Sequence, residues 1–418
     1  MSMGLLRSHR LATGALLVSA ASAVTACGAA TQEVRTVRGA VAPVAAADPG
    51  PLARASSAFG LSVLDAWCRR DPSANVVLSP SSLSSGLGMV HQAARGETAA
   101  AMARTLRLPP GDPLPGLRAR TQALKALNTK DVKLRTVDQV WSDRALTPHK
   151  DYLDRVATAY DASLKLLDIR SDPEGARATV NEEIKRITEG LVPRLLPENS
   201  VKGDTGWILT DALYMKARWA AEFKKQDTAP ARFTTAAGRS VDAPMMRKTT
   251  DYGVARHRGW TAVDLPYRDG RLTMTALLPD ARAKGCPDLS PATLDALTGA
   301  LRPTTVDLSI PKVRLKAQAD LKPLLSELGM AQAFGGQADL RGLSPKAVRL
   351  QFVQHAATLL VDEKGTEAAA ATGSGVEALA APPRGEKIVF DRPHVLVVRD
   401  TRTGEPLFLA RVADPTRS

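Results

Sequence analysis

Two hydrophobic periods divide this chain, and their order constrains the fold more than any other feature. Apolar residues first recur at helical spacing, over 54–70 (with Ala58, Leu61, Leu64 and Ala66 near one stripe), 81–105, 148–160 and 175–191. A single strand-like pattern, 132–141, interrupts them. From there the alternation becomes that of strands, at 208–215, 261–267, 271–278, 306–315, 358–361, 395–399 and 406–412. Helices gathered early and strands gathered late argue for an α+β domain with large sheets. No long linker and no repeat at solenoid spacing interrupts 51–418, so one domain is expected there.

The residues before that domain read as an address. Arg7 and Arg10 precede an apolar stretch at 11–24 that is too short to span a bilayer and fits a secretory signal over 1–26. It ends Val24-Thr25-Ala26-Cys27, an aliphatic residue and two small residues before a cysteine. This resembles a bacterial lipoprotein signal, in which the cysteine is diacylated and becomes the mature N-terminus. Two acyl chains anchor stably where one does not. The expected location is therefore the outer face of the cytoplasmic membrane, lipid-anchored through Cys27, or secreted if Cys27 is incidental. Residues 27–50, rich in Ala, Val, Thr and Pro, are expected to be a flexible tether.

Composition excludes several classes of function. Three cysteines (Cys27, Cys68, Cys286) build neither a disulfide framework nor a cysteine zinc site, and six scattered histidines form no His-Glu-x-x-His run. No metal or cofactor is expected. The net charge of +13 favours acidic surroundings, but only 4% of residues are aromatic and no basic run reaches five residues, so nucleic acid is not an expected partner. A penicillin-binding hydrolase would need Ser-x-x-Lys at a helix start. The one match, Ser309-Ile310-Pro311-Lys312, lies in a strand pattern with Pro inside it. Gly-x-Ser-x-Gly, Lys-Thr-Gly and Ser-Asp-Asn are absent, and Gly86-Leu87-Gly88 lacks the rest of a dinucleotide fingerprint. The chain is not expected to be an enzyme.

Against this background several segments, taken in order, resemble parts of one known family. Asn75-Val76-Val77-Leu78-Ser79-Pro80-Ser81-Ser82 is similar to the entry into the second serpin helix, and Ala94-Arg95-Gly96-Glu97-Thr98 to the stretch after it. Asn181-Glu182-Glu183-Ile184 to Thr188-Glu189-Gly190 resembles the helix that crosses the main sheet. Leu213-Tyr214-Met215-Lys216-Ala217-Arg218-Trp219 resembles the strand that reaches the sheet's opening point. The most specific likeness is the loop hinge, Asp362-Glu363-Lys364-Gly365-Thr366-Glu367-Ala368-Ala369-Ala370-Ala371. Phe390-Asp391-Arg392-Pro393 and Leu407-Phe408-Leu409-Ala410-Arg411-Val412 are similar to the terminal strands, and together the likeness covers about 54–415. The resemblance implies helices packed around large mixed sheets, an exposed reactive-centre loop at about 363–389, and a monomer. It also implies a sheet-opening core of Ser79, Ser82, Asp211, Trp219 and His355. Family members usually carry Asn at the position of Asp211, Phe at that of His394 and Gly at that of Ala410. Asp211 matters most, because a carboxylate accepts from His355 but cannot donate as an amide does.

The resemblance further implies a suicide substrate. A serine protease attacks the loop, forms a covalent acyl complex, and is carried away as the cut loop enters the main sheet. Whether this loop is fit to insert can be read from its residues. Successive strand residues face opposite sides. Thr366, Ala368, Ala370, Thr372, Ser374, Val376 and Ala378 are small and uncharged on one parity, while Glu367 and Glu377 share the other. One face therefore suits burial, where an unpaired charge would cost several kcal/mol. Counting from Glu363 as in typical family members puts the scissile bond at Leu379-Ala380. Counting back from Phe390 lands near Pro382, and Arg384-Gly385 would need an unusually long loop. The hinge count is preferred because the sheet fixes insertion length. Leu379 implies a target with an apolar primary pocket, of the chymotrypsin, subtilisin or elastase kind. The alternative function is a non-inhibitory serpin-fold binding or chaperone-like protein, which bulky or charged hinge residues would have favoured. Arg118, Arg120, Lys125, Lys130, Lys133 and Arg135 form a basic cluster, expected to be a solvated helix face, with weak polyanion binding as the alternative. Whether Cys68 and Cys286 pair is left open, since sequence supplies no distance.

Overall fold

The computed structural model describes Met1 and residues 31–136, 138–280, 285–347, 349–366 and 385–417. The helices that matter for the site are α1 (Gly50–Arg70), α2 (Pro80–Ala93), α3 (Gly96–Thr105), α4 (Leu114–Lys125), α5 (Lys150–Tyr160), α6 (Pro173–Ile187) and α7 (Pro291–Gly299). Their starts are written locally. Ser79, Asp172 and Ser290 cap α2, α6 and α7 through side-chain oxygens, each followed by Pro at the first helical position. The helical pattern over 81–105 is two helices, because Ala94 and Arg95 are extended and Gly96 turns the chain at a φ of 51°.

The strands are β1 (Arg35–Val37), β2 (Val76–Leu78), β3 (Val132–Thr136), β4 (Gln139–Asp143), β5 (Leu164–Leu167), β6 (Trp207–Arg218), β7 (Ala229–Thr234), β8 (Ser240–His257) and β9 (Trp260–Pro266). After these come β10 (Leu272–Pro279), β11 (Arg302–Pro311), β12 (Val313–Asp320), β13 (Gln354–Asp362), β14 (Gly365–Thr366), β15 (Glu386–Val389), β16 (His394–Asp400) and β17 (Pro406–Val412). Among the described residues they form an eight-stranded sheet, β1-β5-β4-β6-β14-β13-β12 with β3 also on β6, and a nine-stranded sheet, β15-β11-β8-β9-β10-β16-β17-β2 with β7 on β8. This is the expected α+β fold of helices around large mixed sheets.

Hydrophobic alternation places the faces. Ala212 and Ala356 join Trp141, Ile208 and the apolar stripe of α6 on one side of the eight-stranded sheet. Leu213, Met215, Leu359 and Val361 pack against Phe233, Met245, Val263 and Phe408 of the nine-stranded sheet on the other. The pattern over 306–315 is not one strand. β11 belongs to the nine-stranded sheet and β12 to the eight-stranded one, and the chain changes sheets at Lys312. The pattern over 132–141 likewise divides into β3 and β4.

The tether expectation requires correction over its described part. Residues 31–49 lie along the domain. β1 adds to the sheet edge, pairing antiparallel with β5 from Arg35↔Leu166 to Val37↔Leu164. Gln32 accepts the Asp168 amide at 2.9 Å and donates to the Asp172 carbonyl at 2.8 Å, while the Ala40 and Ala42 amides donate to Asp154 and Thr158 at 2.7 and 2.9 Å. An Ala- and Val-rich stretch carries too little hydrophobic pattern to announce this, because an edge strand is held by backbone groups. Cys68 and Cys286 form a disulfide, with Cα atoms 5.7 Å apart, that joins α1 to the loop after β10.

Candidate functional site

The hinge is where the two sheets meet the loop. Glu363 is buried at the end of β13. Its carboxylate accepts from Lys312 Nζ at 2.8 Å and from Thr228 Oγ1 at 2.9 Å, so the residue at the sheet crossover clamps the hinge. Burial raises the Glu363 carboxyl, but the bonds from Lys312 and Thr228 outweigh it and hold it below its ordinary value. Asp362 Oδ1 accepts the amides of Lys364 at 2.8 Å and Gly365 at 3.2 Å, turning the chain back. Gly365 and Thr366 then enter the eight-stranded sheet as β14. They pair antiparallel on one side with β13 (Val361↔Thr366, Asp362↔Gly365) and on the other with β6 (Gly365↔Arg218, Thr366↔Ala217). Only glycine fits at 365, since a Cβ there would lie 2.1 Å from the Ala217 carbonyl oxygen.

Thr366 is 1% exposed, and its hydroxyl is 2.6 Å from that of Tyr267. Thr366 therefore already occupies the sheet before any cleavage, and a large or charged side chain there disturbs the uncut protein as well as insertion. Tyr267 stacks on Trp219 with ring centroids 4.5 Å apart, and Trp219 Nε1 donates to the Asp362 carbonyl at 2.8 Å. Trp219 thus belongs to the hinge, just past the end of β6, and not to the opening core with which it was grouped. The two places are set apart along one long strand, a separation that residue types alone do not reveal.

The other four members of that core do converge. β13 and β6 pair directly and in parallel below the hinge, from Gln354↔Thr210 to Ala357↔Leu213. In that ladder His355 is the partner of Asp211, both fully buried, with His355 Nδ1 against Asp211 Oδ1. His355 Nε2 accepts the Ser79 amide at 3.4 Å, which puts the ring proton on Nδ1, toward the carboxylate. Ser79 Oγ accepts the Ser82 amide at 3.2 Å as the cap of α2, and Ser82 Oγ donates to a residue the sequence reading missed, Asp138. Burial first, and the neighbouring Asp211 carboxylate second, push the Asp138 carboxyl well above its ordinary value. The two Asp residues had no signal in common: they lie far apart in sequence and meet only through strand register.

His394 fills its aromatic position as a neutral ring. It stands edge-on to Phe390 and Phe233, with centroids at 5.1 and 6.1 Å, and burial pushes its imidazole down to about 4. The basic cluster does not form one exposed face. Arg120 is buried in a two-pronged ion pair with Glu405, at 2.6 and 2.9 Å, while Lys125 pairs with Asp161 and Lys133 with Glu189. Arg118 and Arg135 reach backbone and amide oxygens instead, at 3.4 Å. Glu367, Ala368, Ala369, Ala370 and Ala371 of the hinge, the Leu379-Ala380 bond and Cys27 lie outside the described residues.

Comparisons with known proteins agree with this geometry. The family Serpin (serine protease inhibitor) matches residues 54–415. The leukocyte elastase inhibitor of Bos taurus is 30% identical over 376 residues, covering 87% of this chain and 99% of the bovine protein. An uncharacterised serpin-like protein of Thermococcus kodakarensis is 31% identical over 350 residues, covering 82% of this chain and 81% of its own. Among solved structures, the thermophilic serpin tengpin in its native state superposes with a TM-score of 0.79 at 22% identity, over 90% of this chain and 97% of that one. Human thyroxine-binding globulin in complex with thyroxine gives 0.76 at 24%, over 89% and 100%. With the hinge wedged into a mixed sheet, and a family match across almost the whole domain, the chain belongs to the serpin family of serine protease inhibitors.

Proposed function

We propose that this protein is a suicide-substrate inhibitor of extracellular serine proteases with an apolar primary pocket, and that it is held at the membrane by lipid on Cys27. The observation that carries the reading is β14: Gly365 and Thr366 are paired on both sides, so they are the first residues of a strand that can be continued. A protease serine attacks the Leu379 carbonyl and releases the amine of Ala380, leaving an acyl-enzyme. Freed at one end, the loop extends β14 downward between β6 and β13, replacing their direct pairing with two antiparallel ladders. This is strand addition, of which serpin loop insertion is a known example. Among the described residues, the ladder that has to part for this is the short one from Gln354↔Thr210 to Ala357↔Leu213, with the His355–Asp211 contact across it.

The test is incubation of the purified protein with subtilisin or chymotrypsin. The expected result is an SDS-stable complex and a released C-terminal peptide beginning at Ala380. Cleavage without a complex would favour the non-inhibitory alternative, and a peptide beginning at Gly385 would overturn the assigned bond. Anchoring is tested separately by Cys27→Ala, which should move the protein from the membrane to the soluble fraction.

A further inference from the structure

The interruption between β3 and β4 sets two carboxylates face to face. β3 pairs with β6 up to Thr136↔Leu213, and β4 resumes at Gln139↔Thr210. The same register on either side carries across the gap and places Asp138 opposite Asp211. On the other side of β6, Asp211 is the register partner of His355. Asp138, Asp211 and His355 therefore stand in one row across three strands, on the face covered by Ser79 and Ser82 of α2. Like charges directly opposite one another destabilise a strand pair, and burial increases the cost.

The surroundings do not neutralise them both. His355 Nδ1 and Ser82 Oγ each serve one carboxylate oxygen, and Asp211 Oδ2 is buried with no hydrogen-bond partner among the described residues. The nearby cation from α4 is Arg120, whose guanidinium is committed to Glu405, Ser81 and Ser85. From α5, Tyr160 faces the row with a hydroxyl that burial keeps protonated. At the rim, Lys125 is paired with Asp161. Asp138 also lines a cavity of about 300 Å³ between α4, α5 and β3, with Ser85, Thr136 and Gln139, through which solvent reaches it.

We propose that Asp138 is a positioning residue for sheet opening: it and Asp211 hold a single proton between them while the sheet is closed, and losing that proton loosens the row along which β6 and β13 must separate. The proton gives Asp211 Oδ2 the donor it otherwise lacks. Its loss leaves two facing carboxylates, one fully buried at Asp211 and one half-buried at Asp138. The upward displacement of the Asp138 carboxyl agrees with this arrangement. The sign follows from linkage. A proton held by the native state and released by the unfolded chain makes stability fall as pH rises, by a factor of ten in the folding equilibrium per pH unit, from the ordinary carboxylate range up to the raised one. Acid closes this sheet, and alkali loosens it. The consequence for protease trapping rests on the insertion reading above; the shared proton does not.

The experiment compares wild type with Asp138→Asn by urea unfolding from pH 5 to pH 9, alongside hydrogen exchange of the Gln354–Ala357 amides corrected for intrinsic rate. Asn keeps the shape and supplies a permanent donor to Asp211. The variant is expected to gain on wild type by at least tenfold in the folding constant over this range, and its ladder should lose the pH-dependent opening seen in wild type. Asp211→Asn, which removes the facing charge from the other side, should flatten the same slope and serves if Asp138→Asn does not fold. Parallel pH profiles for wild type and variants would overturn the proposal. So would a flattened stability profile with unchanged exchange in the ladder, since the pair would then titrate without governing the sheet. No protease enters these measurements, so a wild type that traps none would count against the inhibitor reading alone.

Discussion

The two sheets are held together by different chemistry. At the centre of the nine-stranded sheet the ladders are long and antiparallel: β8 and β11 run in register from Arg302↔Val254 to Pro311↔Met245, and β9 and β10 from Thr273↔Pro266 to Pro279↔Trp260. Two of its arginines are matched to acids, Arg271 to Asp400 at 2.8 Å and Arg399 to Asp264 at 3.2 Å. The Arg411 guanidinium, though unpaired with acid, donates to the carbonyls of Pro72, Ala74 and Gly285, beside the Cys68–Cys286 disulfide. The centre of the eight-stranded sheet is the opposite. Its β6–β13 ladder is short and parallel, a pairing slightly weaker per residue, and beside it stand two facing carboxylates. The contrast teaches where this molecule can give way. On the insertion reading proposed above, one sheet is a frame and the other a seam whose opening breaks a short ladder and a few polar contacts.

That contrast can be broken deliberately, and the largest effect should come from the frame. Replacing Cys68 and Cys286 by Ser releases a link between residues 218 apart in sequence, worth about 5 kcal/mol by loop entropy and less if the unfolded chain keeps structure. Urea unfolding should show the loss while protease trapping, measured below the new melting temperature, stays intact. If trapping fell in step with stability, frame and seam would not be separable.

Next in size is the tip of the seam. Thr366→Arg puts a charge where the side chain is buried between Ala217 and Tyr267. Arg is expected to leave the sheet in the uncut chain, so a penalty of several kcal/mol, at about 1.4 kcal/mol per tenfold, is met on re-entry and slows insertion more than a hundredfold. The variant should be cut without forming a stable complex, and the cut form should lack the rise in heat stability that an inserted loop brings. Because Thr366 sits in the sheet before cleavage, the uncut variant should also melt earlier than wild type.

The smallest effect is expected at the clamp that joins the two. Lys312→Ala removes one partner of the buried Glu363 carboxylate and should cost about 1–3 kcal/mol. Glu363 is held below its ordinary value, so its contribution is present above the unfolded carboxyl range and is lost as pH falls through the folded value. Wild type should lose this stability on acidification, and Lys312→Ala should show a flatter acid limb in the same titration. An unchanged acid limb would mean that the clamp does not couple frame to hinge.

Much of the frame was legible along the chain. Core strands such as β9, β10, β16 and β17 alternate or run apolar, and the β9–β10 and β16–β17 ladders join neighbours in sequence. β8, the longest strand, was not, because Pro244, Gly253 and several charges break its period. Helix α4 also escaped, its apolar positions thinned by Gly116 and two arginines. The hinge motif could be read residue by residue, yet Lys312 looked like half of a chance catalytic match until the crossover between sheets brought it to Glu363.

What the sequence by itself determined is local: the caps of α2, α6 and α7, the small parity of the loop, the glycine at 365, and the order of helices before strands. Each depends on residues a few positions apart, where backbone sterics and periodicity decide the outcome. Only the tertiary structure decided what depends on register between distant strands. It placed Thr366 inside the sheet, moved Trp219 to the hinge, laid residues 31–49 along an edge, and set Asp138 against Asp211. A one-residue slip in pairing turns every side chain to the other face, so the charge balance of the seam follows from alignment across the sheet, which the linear chain does not display.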